Sequence, residues 1–146
     1  MARAERDGVV IDPRPAILEA FDAALAAVQP DVVVRDVIAD TSSGSGEAGC
    51  VIAQAAHVEA IAIGKAAVAM MAGALDSLGD RLIRGFVITK DGHIDRSLPA
   101  RIEVHEAAHP VLDERSVEST HRLLEWVGAI PADATVLCLI SGGGSA

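Results

Sequence analysis

The chain has 146 residues, room for one domain with a real core, since a domain of about 150 residues hides roughly 70% of the surface its unfolded chain exposes. Its 51% hydrophobic and 23% charged residues belong to a globular protein and exclude a disordered one. Twelve Lys and Arg against 21 Asp and Glu give a net charge of −9, with three aromatics in all, Phe21, Phe86 and Trp126; nucleic-acid binding, which uses a cationic field and aromatic platforms, is disfavoured.

Acidity leaves room for a phosphorylated small ligand, which needs only a local set of backbone N–H groups and one or two cations. The charged start Met1-Ala2-Arg3-Ala4-Glu5-Arg6-Asp7 has no signal-peptide pattern, and the apolar stretch Ala66 to Leu75 is too short to span a bilayer. No membrane role is expected. Cys50 and Cys138 sit beside aliphatic residues and read as buried reduced thiols, which points to a cytoplasmic setting.

In chain order, Asp12-Pro13 announces a helix in which Ile17, Leu18, Phe21, Leu25 and Val28 recur at helical spacing, and Pro30 ends it. The run Val32 to Ile38 is rich in β-branched residues and reads as a strand, followed by a polar glycine loop from Thr41 to Gly49 and a second strand from Cys50 to Ala53. Gly44-Ser45-Gly46-Glu47-Ala48-Gly49 matches the dinucleotide fingerprint letter for letter, but it leads into an apparent strand instead of opening a helix, and reads as a hairpin loop. Residues 1–57 thus form a helix and a β-rich segment preceding the core.

Over residues 58–146, β-rich runs alternate with amphipathic helices, the pattern of a parallel sheet with helices on its faces. Strands are expected at Val58 to Ile63, Gly85 to Thr89, Arg101 to Glu106 and Ala134 to Ile140. Lys65 to Leu78 reads as a helix with Ala67, Met70, Met71, Ala74, Leu75 and Leu78 inward and Gly79 as its stop. Asp113 caps another, in which Val117, Leu124 and Val127 share a face and Gly128 ends the pattern. The fold class is α/β, a Rossmann-like, mostly parallel sheet with flanking helices, incomplete at the C-terminus.

Ligands of such sheets bind at the carboxyl ends of the strands. Gly64-Lys65 puts a residue without a side chain, and then a cation, at a strand-to-helix turn, where a phosphate meets free helical N–H groups. It is not a P-loop, because Glu59 stands where that motif needs glycine and Ala66 where it needs Ser or Thr. Ser141-Gly142-Gly143-Gly144-Ser145, directly after the apolar run Val136 to Ile140, can fold into an anion-binding nest to which the serines add hydroxyl donors. Lys90 and His93 share one loop and could hold a carboxylate or phosphate; His109 precedes Pro110 on an extended segment. The five histidines show no zinc-site spacing.

Four blocks taken together resemble a family. Ala62 to Ala67, Val87 to His93, Glu106 to Asp113 and Leu137 to Ala146 are similar, in order and spacing, to successive blocks of the glycerate 2-kinases, some of which carry the label hydroxypyruvate reductase. The resemblance implies ATP-dependent phosphorylation of D-glycerate to 2-phosphoglycerate with Mg2+, in a cleft between a Rossmann-like domain and a second domain. It carries the family's active-site lysine onto Lys65 and its glycine-rich loop onto Ser141 to Ser145. Ala108 stands where members often have glycine, and Asp91 where they often have an aromatic. Members are considerably longer, and the second domain with its catalytic arginine lies outside these residues, so the chain is expected to be inactive alone. The alternatives are an NAD(P)H-dependent hydroxypyruvate reductase and a non-catalytic nucleotide-binding module.

Overall fold

A computed structural model describes residues 5–6, 9–10, 12–42, 51–52 and 54–142. A short antiparallel ribbon pairs β1 (Glu5–Arg6) with β2 (Val9–Val10). Helix α1 (Arg14–Ala27) starts one residue later than the sequence places it, with Pro13 instead of Asp12 at the N-cap and Asp12 Oδ1 accepting the Arg14 N–H at 3.0 Å. It buries none of its residues; Ile17, Leu18, Phe21, Leu25 and Val28 are all exposed.

Residues 32–38, expected as a strand, are the middle of helix α2 (Pro30–Ser42). Pro30 takes the first helical position, where its missing N–H costs nothing. Val34 and Ile38, four residues apart, are buried, while Val33 and Val37 are exposed. Burial every fourth residue against a neighbouring helix outweighs the modest helix penalty of β-branched side chains. Val51 and Ile52 are likewise helical, not strand, and the Arg81 guanidinium holds that segment by donating to the carbonyls of Ile52 and Ala55. Cys50, Ala53 and the fingerprint-like Gly44 to Gly49 lie outside the described residues.

The core is a four-stranded, all-parallel sheet of β3 (Val58–Ile63), β4 (Leu82–Lys90), β5 (Ile102–Ala107) and β6 (Thr135–Ile140), ordered β5-β4-β3-β6. Helix α3 (Ala67–Leu78) links β3 to β4, and α4 (Glu114–Gly128) links β5 to β6. The chain steps outward from β3 through β4 to β5, then returns across the sheet to β6. Right-handed crossovers running in opposite directions put their helices on opposite faces. Accordingly Val87 packs in the cluster that includes Met71 and Ala74 of α3, while its neighbour Phe86 stacks on His105 with ring centroids 4.8 Å apart and meets Trp126 of α4 at 6.0 Å.

Helix α3 is buried on nearly all sides because it lies between the sheet and α2. Its inward residues are those expected, with Leu75 only partly buried and Val68 added. Gly73 sets the distance to α2: a Cβ there would collide with the carbonyl oxygen of Asp31 and lie 2.8 Å from its Cα.

Two expectations of burial fail on the α4 side. Helix α4 turns Ser116, Ser119, Leu123 and Trp126 inward and leaves Val117, Leu124 and Val127 exposed. Strand β6 is covered on one face only among the described residues: Val136, Cys138 and Ile140 are exposed, Ile140 at 71%, while Leu139 on the other face is buried. Cys138 is therefore a free, exposed thiol. Among the described residues no helix is long and apolar enough to cross a membrane.

Candidate functional site

The order β5-β4-β3-β6 reverses direction between β3 and β6, and in open α/β sheets the crevice at that reversal, at the carboxyl ends of the strands, receives the ligand. Gly64-Lys65 and Ser141-Gly142 are the residues that leave β3 and β6 there. Parallel pairing of Ile63 with Ile140 brings the two turns together, and the Ser141 N–H donates to the Ile63 carbonyl at 3.0 Å.

Gly64 is required at its position twice over. Its φ is +111°, a backbone conformation that side chains rarely adopt, and a Cβ would run into Ser141 Oγ and lie 3.3 Å from Ser141 Cβ. Two hydrogen bonds fix this turn to β4: the Gly64 N–H donates to Ile88 O at 3.0 Å, and Thr89 Oγ1, itself buried, donates to Gly64 O at 3.1 Å. His93 adds a third restraint, with Nδ1 3.2 Å from the Lys65 carbonyl; because a carbonyl only accepts, that nitrogen carries the proton.

Helix α3 begins immediately beyond. Ala66 at its N-cap gives it no side-chain cap; the Ala67 N–H donates to the Gly64 carbonyl at 3.1 Å, which leaves the N–H groups of Val68 and Ala69 and the positive end of the dipole at the crevice. Lys65 is exposed and makes no ion pair among the described residues. Ser141 Oγ is buried and has no hydrogen-bond partner among the described residues. A buried hydroxyl left unpaired costs about 1–3 kcal/mol, and it is the kind of group a bound oxyanion satisfies. Uncapped helix, free cation and orphan hydroxyl converge on one place. Gly143, Gly144 and Ser145 lie outside the described residues.

Beside the crevice, a cavity of about 310 Å³ opens on the α4 side of the strand ends. Gly64 and Lys65 border it, Lys90 and His109 also line it, and its walls are otherwise mostly aliphatic. The expected residues thus fall into three places. Gly64, Lys65 and Ser141 meet at the crevice, Lys90 and His109 line the neighbouring cavity, and His93 braces the Lys65 turn from outside. The His109–Pro110 peptide is cis.

An ion-pair clamp lies next in sequence to the lining residues Lys90, Leu112 and Ser116. Arg115 grips Asp91 with two bonds of 2.6 and 2.7 Å and Asp113 with one of 2.9 Å, tying the loop after β4 to the cap of α4. The Asp113 cap itself, expected from the sequence, accepts the Arg115 N–H at 3.0 Å. Hydrogen bonds from the guanidinium hold both carboxyls below the usual aspartate value, and the two carboxylates in turn raise Arg115 further. The sequence reading missed Thr89, Arg115 and Ser116. Thr89 carried a usable signal, a hydroxyl at a strand's carboxyl end. Arg115 and Ser116 carried none, because their partners come from other elements.

Among the described residues no three His, Cys, Asp or Glu side chains are grouped to hold a metal ion.

Residues 16–146 match the family described as a domain of unknown function, DUF4147. The chain is 44% identical over 85 residues to a D-glycerate 2-kinase of Thermotoga maritima, covering 58% of this chain and 20% of that protein. It is 34% identical over 136 residues to a protein of Agrobacterium vitis provisionally named hydroxypyruvate reductase, covering 92% of this chain and 28% of the relative. The crystal structure of glycerate kinase from Thermotoga maritima superposes with a TM-score of 0.71 at 32% identity, covering 89% of this chain and 28% of that one. The chain therefore spans less than a third of the length of each of these relatives.

Proposed function

The chain belongs to the DUF4147 family, whose members include glycerate 2-kinases, and on that premise we propose that its strand ends form the phosphate-binding part of an ATP-dependent D-glycerate 2-kinase. The observation that carries this reading is the convergence at the β3/β6 crevice of the uncapped α3 N-terminus, Lys65 and the unpartnered Ser141 Oγ. A triphosphate fits those groups: each is a donor or a positive charge, and none of them is a carboxylate.

Phosphoryl transfer is chiefly positioning and charge stabilisation, with little covalent work for the protein. ATP supplies the phosphoryl group, and magnesium accompanies its phosphates. Lys65 offsets charge on the phosphate oxygens, the α3 N–H groups orient them, and Ser141 donates a hydrogen bond. Thr89 and His93 keep the Gly64-Lys65 turn rigid so that these donors need not reorganise during the reaction. The complete reaction, D-glycerate and ATP to 2-phosphoglycerate and ADP, is proposed for family members of full length, and phosphate binding for this portion.

A nicotinamide-dependent reductase is the weaker reading. Dinucleotide sites commonly use a carboxylate soon after the second strand to hold a ribose, and here Asp91 in that place is bound bidentately by Arg115.

The test is equilibrium binding of ADP and tripolyphosphate to the chain, with an assay for 2-phosphoglycerate alongside. Binding of both ligands, lost in Lys65→Ala, and no turnover by this portion alone are expected. Unchanged binding in Lys65→Ala would refute the phosphate site, and turnover dependent on NADH and hydroxypyruvate would establish the reductase.

A further inference from the structure

The cavity beside the crevice is too large and too apolar for a three-carbon acid. At about 310 Å³ it stands at the lower end of the roughly 300–1,000 Å³ of pockets that enclose a whole small organic ligand. Ile63 and Ile88 line it from the sheet, Ala107 and Ala108 from the end of β5 and the residue after it, and Leu112 and Leu123 from α4 and its approach. A glycerate molecule, polar at every carbon, would leave these walls facing water or facing its hydroxyls. A flat heterocycle would cover them.

Besides the side chains of Lys65, Lys90 and His109, the wall holds one buried polar group without a partner among the described residues. Ser116, in the first turn of α4, lines the cavity, and its Oγ is buried with no hydrogen bond among the described residues. The Ser116 N–H is already used by the Asp113 carbonyl at 3.0 Å, so the hydroxyl is the group left to recognise something. Pockets for organic ligands commonly combine apolar walls with a few polar atoms that fix orientation.

The cavity also has a direction. Gly64 and Lys65 border both it and the crevice, so a ligand with an apolar planar end and an anionic end can occupy the two together. We propose that the cavity is the base pocket of a purine nucleotide, with the base between the aliphatic walls, Ser116 Oγ hydrogen-bonded to its edge and the phosphates at Gly64, Lys65 and Ser141. The Arg115 clamp on Asp91 and Asp113 ties the loop that follows Lys90 to the helix cap that precedes Ser116, which makes Arg115 a positioning residue. This proposal rests on the phosphoryl-transfer reading and adds to it the location of the base.

Binding of ADP, adenosine and tripolyphosphate to the full chain, measured by calorimetry, separates the two. Ser116→Ala removes an unsatisfied buried hydroxyl and preserves folding; it should weaken ADP and adenosine by about three- to tenfold, the range for one neutral hydrogen bond. Ala108→Leu fills the pocket and should weaken both by at least about tenfold, with its circular dichroism and melting temperature confirming a folded chain. Neither change should alter tripolyphosphate binding. ADP binding equal to wild type in folded Ala108→Leu would overturn the base pocket while leaving the phosphate site intact. ADP no tighter than tripolyphosphate, or no adenosine binding at all, would also overturn it. Loss of tripolyphosphate binding in Lys65→Ala reports on the phosphate site alone.

Discussion

Replacing Gly64 with alanine tests whether the β3/β6 crevice is built as described, because two separate costs meet at that residue. A non-glycine residue at φ +111° is strained by about 1–3 kcal/mol. The new methyl would also collide with Ser141 Oγ; turning that hydroxyl away relieves the collision but leaves Ser141 Cβ at 3.3 Å, so a residual contact of about 1 kcal/mol remains. Gly64→Ala should therefore lower the unfolding free energy by about 2–4 kcal/mol, a large share of the roughly 5–15 kcal/mol typical of a domain. For a chain of this length the melting temperature should fall by about 4–16 °C. Urea unfolding of Gly64→Ala, Ser141→Gly and the double variant completes a cycle. The double variant should recover about 1 kcal/mol of the sum, the contact part, while the backbone strain persists. Gly64→Ala within about 0.5 kcal/mol of wild type would refute the close approach and the strain together, and full recovery in the double variant would refute the strain.

Gly73→Ala should cost about 1–3 kcal/mol by urea unfolding, because the methyl meets the backbone of Asp31, which unlike a side-chain end cannot turn aside without moving α2 off α3. Arg84→Ala should cost about 3 kcal/mol, because it strands the Glu59 carboxylate, 3% exposed and bonded to Arg84 Nε at 2.8 Å; Glu59→Gln combined with Arg84→Met should recover most of the loss. The clamp predicts a pH dependence. Asp91 and Asp113 have folded values lowered by Arg115, so their contribution is present above the unfolded value of about 3.9 and is lost as pH falls through the lower folded values. Wild type should thus melt higher than Arg115→Ala near neutral pH, and the gap should close progressively below about pH 4; a gap independent of pH would refute the assignment.

Strand β3 was legible to the residue because its environment matches its pattern: a central parallel strand is covered on both faces, and Val58–Ile63 is apolar except for Glu59, which Arg84 pairs. Helix α2 was not, although its sequence contains the answer at every fourth residue. Val32, Val33 and Val34 outvote that periodicity locally, and only the packing of Val34 and Ile38 against α3, at a separation set by Gly73, decides in favour of a helix. Strand β6 shows the opposite error. Its apolar run suggested burial on both faces, but among the described residues nothing covers the face of Val136, Cys138 and Ile140, and what covers a strand's face is not encoded in the run.

The same distinction orders the site residues. Gly64, Lys65 and Ser141 were readable because each follows a strand directly, and strand ends converge in a parallel sheet whichever neighbours they have. Helix α4 misled for a comparable reason: Val117, Leu124 and Val127 look like its inner face, yet Ser116 and Ser119 face the sheet instead. Ser116 there leaves a buried hydroxyl in the helix's first turn. An apolar residue in place of Ser116 would have made α4 more conspicuously amphipathic and its pocket featureless. The break in the hydrophobic pattern at Ser116 is what gives the cavity a group able to orient a ligand, so the position where amphipathic reasoning failed is the one through which the cavity acquires specificity.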